Sequence, residues 1–288
     1  MKVWIDGELQ DGAHARVPVS DHGLLYGDGV FEGMRVCGGR VFKLEAHLRR
    51  LGYGGRALHL ALPPVSELRE IVTRTVAAHG EADAYVRLIV TRGDGPLGVD
   101  PGSCGKPRVI CIVDRIALYS DEKRKQGLSL VTSSLRRPPA DVLDPRIKSL
   151  NYLNNVLAKG EARRRGADEA LLLNQQGLVA EASVANVFAV RDGRLLTPPT
   201  TDGALDGITR ASVLELAAQL GIASEIRSLG RVDLFAADEV FLTGTGAGMV
   251  RVATLDGEVI GGKEPGLVTE RLSAALHALR YAHQAGSA

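Results

Sequence analysis

Only eight lysines occur in the 288 residues, and one of them, Lys148, stands between Ile147 and Ser149-Leu150, directly ahead of a segment with helical character. A lysine taken by itself is usually a solvated surface charge, whereas a desolvated one has a lowered pKa and can serve as nucleophile or base near neutral pH. Other chemistries lack their residues. The seven histidines form no H-x3-H pair on a helix, and Cys37, Cys104 and Cys111 form no C-x-x-C pair, so metal-ligand spacing is missing. There is no G-x-S-x-G elbow. Neither Gly27-Asp28-Gly29 nor Gly244-Thr245-Gly246-Ala247-Gly248 ends in the Gly-Lys-Ser/Thr of a nucleotide-binding loop. On spacing alone the second glycine stretch has two readings, a backbone cradle for phosphate or an ordinary turn.

The chain that must position these residues is long enough for two cores, since compact domains usually hold roughly 100 to 200 residues. Hydrophobic residues at 45% and charged residues at 24% fit a globular protein in water. A net charge of +1 removes the electrostatic case for nucleic acid. No apolar run approaches the roughly 20 residues that span a bilayer, the start lacks a signal-peptide stretch, and three cysteines fit a reducing compartment. A cytoplasmic protein with neither membrane nor nucleic-acid partner is expected.

Strands are expected at 3–5 and from residue 8, joined by Asp6-Gly7, and at 30–36 and 40–42 around Gly38-Gly39. Helices at 45–58 and 66–79 and strands at 84–91 and 107–113 complete a first α+β domain over residues 1–119. The polar run 120–127 reads as an interdomain linker, or else as a solvated helix turn. The second domain, 128–288, opens with a strand at 128–133 and a helix at 151–165 with Leu153, Val156 and Leu157 on one face. Strands at 169–173, 184–190, 195–196, 240–243 and 250–254 follow, with helices at 210–220 and 267–281.

The run Asp144-Pro145-Arg146-Ile147-Lys148-Ser149-Leu150-Asn151-Tyr152-Leu153-Asn154-Asn155 closely resembles the cofactor-lysine motif of the class IV, or fold-type IV, aminotransferases. Five further blocks resemble the same family in order. They are Tyr26-Gly27-Asp28-Gly29-Val30-Phe31-Glu32-Gly33-Met34-Arg35, His47-Leu48-Arg49-Arg50-Leu51, the segment from Gly177 to Phe188 centred on Glu181, Gly207-Ile208-Thr209-Arg210, and Thr243-Gly244-Thr245. The resemblance covers nearly the whole chain. It implies an α+β, two-domain fold like that of D-amino acid aminotransferase, with pyridoxal 5'-phosphate between the domains and Lys148 supplied by the C-terminal one.

In that family a lysine holds the cofactor covalently and moves the substrate proton, a role that falls on Lys148. Glu181 is then the anionic partner of the ring nitrogen, since a charge-assisted bond keeps that nitrogen protonated. Tyr152 donates to the ring hydroxyl. Arg50, Ile208, Thr209 and Thr245 hold the phosphate, the helix start adding N–H donors and a favourable dipole; Arg49 falls about 100° round the helix from Arg50. The first signature looks like the branched-chain type, as do Ala84-Tyr85-Val86-Arg87 and residues 95–101. By that analogy Tyr26, Phe31, Gly33, Arg35, Tyr85, Arg87, Gly246 and Ala247 handle the substrate, with Arg87 on the second carboxylate of glutamate. The implied activity is ping-pong transamination of leucine, isoleucine and valine with 2-oxoglutarate by a homodimer or larger homo-oligomer.

Three features depart from the branched-chain pattern. Asp28-Gly29 is shared with D-amino acid transaminases and aminodeoxychorismate lyases, which are the alternative functions. Thr91-Arg92-Gly93 resembles the block from which D-specific members recruit a carboxylate arginine; otherwise Arg92 is a structural ion-pair residue. Gly248-Met249-Val250-Arg251 replaces the commoner acidic and proline pattern after the phosphate loop.

Overall fold

The computed structural model describes residues 1–116, 118–262 and 266–282. The described chain divides into two compact units, one made of Met1–Ile116 with Ile147–Asn151 and the other of the remainder. Among the described residues no helix is long and apolar enough to cross a membrane.

The first unit contains β1 (Lys2–Ile5), β2 (Glu8–Asp11), α1 (His22–Tyr26), β3 (Gly29–Cys37), β4 (Arg40–Val41), α2 (Leu44–Ala57), α3 (Val65–His79), β5 (Ala84–Thr91) and β6 (Arg108–Asp114). Its six strands form one antiparallel sheet in the order β2-β1-β6-β5-β3-β4. The turn pairs behave as expected. Asp6 and Gly7 both take positive φ, 51° and 88°, the mirror-image turn whose twist matches a hairpin. Alternation along the strands then sorts side chains onto two faces. Val30, Met34 and Val36 of β3 and Val86, Leu88 and Val90 of β5 pack on Leu48 and Leu51 of α2 and Leu68, Ile71, Val72 and Val76 of α3. The opposite face of β3 and β5 is left to Phe31, Gly33, Arg35, Tyr85, Arg87 and Ile89.

The second unit contains α4 (Asp121–Gln126), β7 (Leu128–Arg136), α5 (Ala140–Leu143), α6 (Leu153–Arg164), β8 (Glu169–Leu173), β9 (Val179–Ala182), β10 (Asn186–Arg191), β11 (Arg194–Thr197), α7 (Ile208–Gln219), β12 (Ser224–Ile226), α8 (Arg231–Phe235), β13 (Glu239–Gly244), β14 (Gly248–Leu255), β15 (Glu258–Val259) and α9 (Leu267–Tyr281). Its sheet runs β12-β11-β10-β13-β14-β7-β8-β9, with β15 paired to β14. Pairings β14–β7, β7–β8 and β11–β12 are parallel. A mixed α+β architecture is thus present in both units.

Of the two readings of the run 120–127, the helix is the one present: it is α4, whose N-terminus is capped by the Ser120 hydroxyl accepting from Lys123 N–H, and it falls in the second unit. Lys148 falls in the first unit and not, as expected, in the C-terminal one. Its carbonyl accepts from Phe31 N–H at 2.9 Å, Leu150 N–H donates to the Gly29 carbonyl at 2.9 Å, and Ile147 packs on the first core. These backbone bonds along β3 draw residues 147–151 into the first unit.

Helix α6 also differs from its expected packing. Leu153, Val156 and Leu157 are exposed, while Asn155, Ala158 and Ala162 are buried. The inward face is small and mixed: Ala158 and Ala162 pack with Val131, Ala170 and Leu172, while Asn155 carries hydrogen bonds.

Candidate active site

In the first unit the lysine amine stands over an aromatic ring. Lys148 Nζ lies 4.5 Å from the centroid of Phe31, and the Arg87 guanidinium carbon lies 4.6 Å from the same centroid. The register of β3 and β5 puts Gly33 opposite Arg87 and Arg35 opposite Tyr85, so these four side-chain positions share one face with Phe31. Arg87 also lies 5.7 Å from the Tyr85 ring centroid. Gly33 leaves room for the phenol here, because a Cβ built on it would meet Tyr85 Oη and push that ring aside. An amine, an apolar wall, a phenol and a guanidinium are therefore assembled in one place. Tyr26 is placed differently: it is exposed at the end of α1, and its hydroxyl accepts from Gly98 N–H at 3.0 Å.

Arg50 faces the sheet from α2, whereas Arg49 is exposed. Its Nε donates to Glu32 Oε1 at 2.8 Å and its Nη2 to Glu32 Oε2 at 2.7 Å. His47 Nδ1, on the same helix face, lies 2.7 Å from Glu32 Oε2. Burial alone would raise the Glu32 pKa, but the Arg50 charge and the bonds from His47 and Arg50 outweigh it and hold the carboxyl at about 2.

Arg92 has its donors on structural partners. Nε and Nη2 bind the two Asp28 carboxylate oxygens at 2.8 and 3.0 Å, Nη1 binds the His59 carbonyl at 2.8 Å, and Nη2 also binds the Leu58 carbonyl at 2.8 Å. Arg92 thus ties the end of α2 to the residue before β3.

In the second unit Glu181 is buried on β9. Its Oε1 accepts from Arg137 Nη2, and its Oε2 accepts from Leu205 N–H at 3.1 Å and Asn186 Nδ2 at 3.3 Å. Arg137, itself buried, also donates to Asn155 Oδ1 at 3.0 Å and to the Gly203 carbonyl at 3.3 Å. Ile208 and Thr209 open α7 after Gly207, where a Cβ would meet Asn186 Oδ1 at 2.0 Å. Thr245, Gly246 and Ala247 form the turn between β13 and β14, closed by Gly248 at φ 73°. The Ala247 carbonyl accepts from Arg124 Nη1 of α4 at 2.8 Å. Tyr152 stands at the N-cap of α6.

The family of class IV amino-transferases matches residues 29–255. The chain belongs to the class IV aminotransferases. A relative from Methanocaldococcus jannaschii is 45% identical over 273 residues, covering 94% of each chain. The solved branched-chain amino acid aminotransferase of Escherichia coli has 34% identity and a TM-score of 0.93, over 96% of this chain and 94% of that one. A solved branched-chain amino acid aminotransferase complexed with N-(5'-phosphopyridoxyl)-L-glutamate, from a T.th. strain, has 35% identity and a TM-score of 0.90, over 96% of this chain and 93% of that one.

For a class IV aminotransferase, the residues that sequence reasoning passed over are those that hold others in place. Glu32, His47 and Asn186 lie inside the quoted blocks, but no role attached to them. Arg137 and Arg124 lie outside them. The one sequence sign for Arg137 is an Arg-Arg pair directly before Pro138-Pro139, which says nothing of a carboxylate 44 residues away.

Proposed function

We propose that this class IV aminotransferase moves the amino group of leucine, isoleucine or valine to 2-oxoglutarate in a ping-pong cycle, using pyridoxal 5'-phosphate held by Lys148. The observation that carries the reading is the Lys148, Phe31 and Arg87 constellation: a reactive amine faces an apolar wall that also borders a carboxylate-binding cation. A dual-substrate site needs that combination, because an alkyl group and a second carboxylate occupy it in turn.

The residues present fit the cofactor. A buried carboxylate fixed by three donors, Glu181, suits a protonated ring nitrogen. The start of α7 and the turn at Thr245 offer backbone and hydroxyl donors to a phosphate. When bound, pyridoxal phosphate supplies the electron sink that makes the substrate Cα–H acidic. Lys148 Nζ takes that proton and returns one to the product side. Tyr152 orients the ring through its hydroxyl, and Arg50, Ile208, Thr209 and Thr245 anchor the phosphate. The N–H groups of Gly246 and Ala247 receive the α-carboxylate, and Arg87 receives the second carboxylate of glutamate, with Tyr26, exposed at the end of α1, assisting at the site of a neighbouring subunit. Phe31, Gly33, Arg35 and Tyr85 shape the side-chain pocket.

The engagement of Arg92 with Asp28 supports an L preference, since an arginine clamped by four structural contacts does not serve a carboxylate of reversed orientation. The exposed apolar face of α6 supports a homodimer, and three free cysteines suit a reducing cytoplasm. Half-reactions followed by the cofactor absorption test the substrate assignment: L-leucine and L-glutamate are expected to bleach the band rapidly and D-alanine slowly. Rapid bleaching by D-alanine alone would reverse the stereochemical assignment.

A further inference from the structure

Glu32 is a carboxylate placed where an apolar side chain would cost less. It is fully buried on the face of β3 whose other members, Val30, Met34 and Val36, all pack as core. Its partners come from one face of α2: His47 and Arg50 are three residues apart, which puts them side by side on a helix. With its carboxyl pKa held at about 2, Glu32 is ionised and can only accept, so His47 must carry its proton on Nδ1 to make the 2.7 Å contact. His47 Nε2 is buried with no hydrogen-bond partner among the described residues. The hydrogen bonding of the imidazole is thus directed to Glu32.

A lone arginine side chain samples many rotamers, while a guanidinium gripped by parallel bonds from Nε and Nη2 has its plane fixed by the carboxylate. That second arrangement is the one at Arg50. We infer that Glu32, braced by His47, is a positioning residue that sets the plane of the Arg50 guanidinium for a phosphate monoester. The inference rests on the reading of Arg50 as phosphate anchor. It gives the acidic residue of the first signature a purpose tied to discrimination: Glu32 offsets much of the Arg50 charge, so what Arg50 contributes is direction, and direction matters only for a ligand that carries the phosphate.

The test compares pyridoxal 5'-phosphate with pyridoxal, which lacks the phosphate, by titrating each into the cofactor-stripped full-length protein. Glu32→Gln keeps the shape but loses one arm of the grip. Its dissociation constant for pyridoxal phosphate is expected to rise about tenfold or more while that for pyridoxal changes less than about threefold. Arg50→Ala is expected to erase the preference. If Arg50→Ala erases it and Glu32→Gln leaves it intact, Glu32 is structural only and the inference is overturned while the anchor reading stands. If Arg50→Ala leaves the preference intact, the anchor reading fails and the inference with it. Should Glu32→Gln not fold, Glu32→Asp keeps the charge but retracts the grip; a preference reduced about threefold supports positioning and an unchanged preference overturns it.

Discussion

Gly33 shows how a missing atom can shape a site. A Cβ there would meet Tyr85 Oη at 1.9 Å, and that oxygen is the far end of a side chain, so the backbone need not yield when the phenol can swing away. Gly33→Ala is therefore expected to fold normally, with a thermal midpoint within about 4 °C of the parent, a shift worth less than about 1 kcal/mol. KM for leucine should rise about tenfold as the pocket wall moves. A midpoint drop far beyond that with unchanged KM would mean that Gly33 serves the sheet rather than the pocket. Glu32 makes a different prediction. Its pKa lies at about 2 in the fold against 4.5 as an ordinary carboxyl, a depressed value, so its stabilisation is complete above pH 4.5 and is lost as pH falls toward 2. The shift corresponds to about 3 kcal/mol. Urea unfolding between pH 5 and about 2.5 should show Glu32→Gln less stable at the upper end and with a shallower decline than the parent. Parallel declines would place the acid sensitivity elsewhere.

At the scale of the element, α6 adds to the apolar packing of Ala158 and Ala162 a polar tie that its sequence disguises. Asn155 Nδ2 donates to the Ser183 carbonyl at 2.5 Å and Asn155 Oδ1 accepts from Arg137 Nη1, so one buried amide joins the helix to the segment after β9 and to the arginine that grips Glu181. Asn155→Ala strands a buried carbonyl and a buried guanidinium donor together, and about 2 to 4 kcal/mol of unfolding free energy should be lost in urea. A loss under about 0.5 kcal/mol would mean that neither group depends on Asn155. Such bonds also explain what could be read from sequence. The hairpin at Asp6-Gly7, the strand 84–91 and the helix 267–281 were legible, because turn chemistry and periodicity are local. Helix α4 was one of two readings of its run, since a stretch with almost no apolar residue gives no period to choose by, and the Ser120 cap is what marks it. The inward face of α6 was misleading for a related reason: apolar periodicity locates a stripe, not what covers it. Lys148 was identified by resemblance, but its unit was not, because the bonds that recruit it run to Gly29 and Phe31 more than a hundred residues earlier.

For the whole molecule, that stripe calls for a cover. Leu153, Val156 and Leu157 follow the i, i+3, i+4 spacing of one helix face and are 67%, 61% and 48% exposed, and Val184, just after β9 in the chain, is 48% exposed. Large apolar side chains grouped this way mark an association surface more often than a solvated one. A second copy of the chain is the occupant that the family resemblance implies, and a symmetric pair would bury the same residues on both subunits. Sedimentation equilibrium at micromolar concentration should then give twice the chain mass of 30.6 kDa for the parent protein. Replacing Leu153 and Val156 together by glutamate leaves the buried face, Asn155, Ala158 and Ala162, untouched, so each subunit should keep its fold while like charges oppose each other across the pair. The expected result is a single species near 30.6 kDa with the parent's far-ultraviolet circular dichroism. A parent protein that sediments as a monomer, or a double variant that remains paired, would mean that this helix face does not hold two copies together.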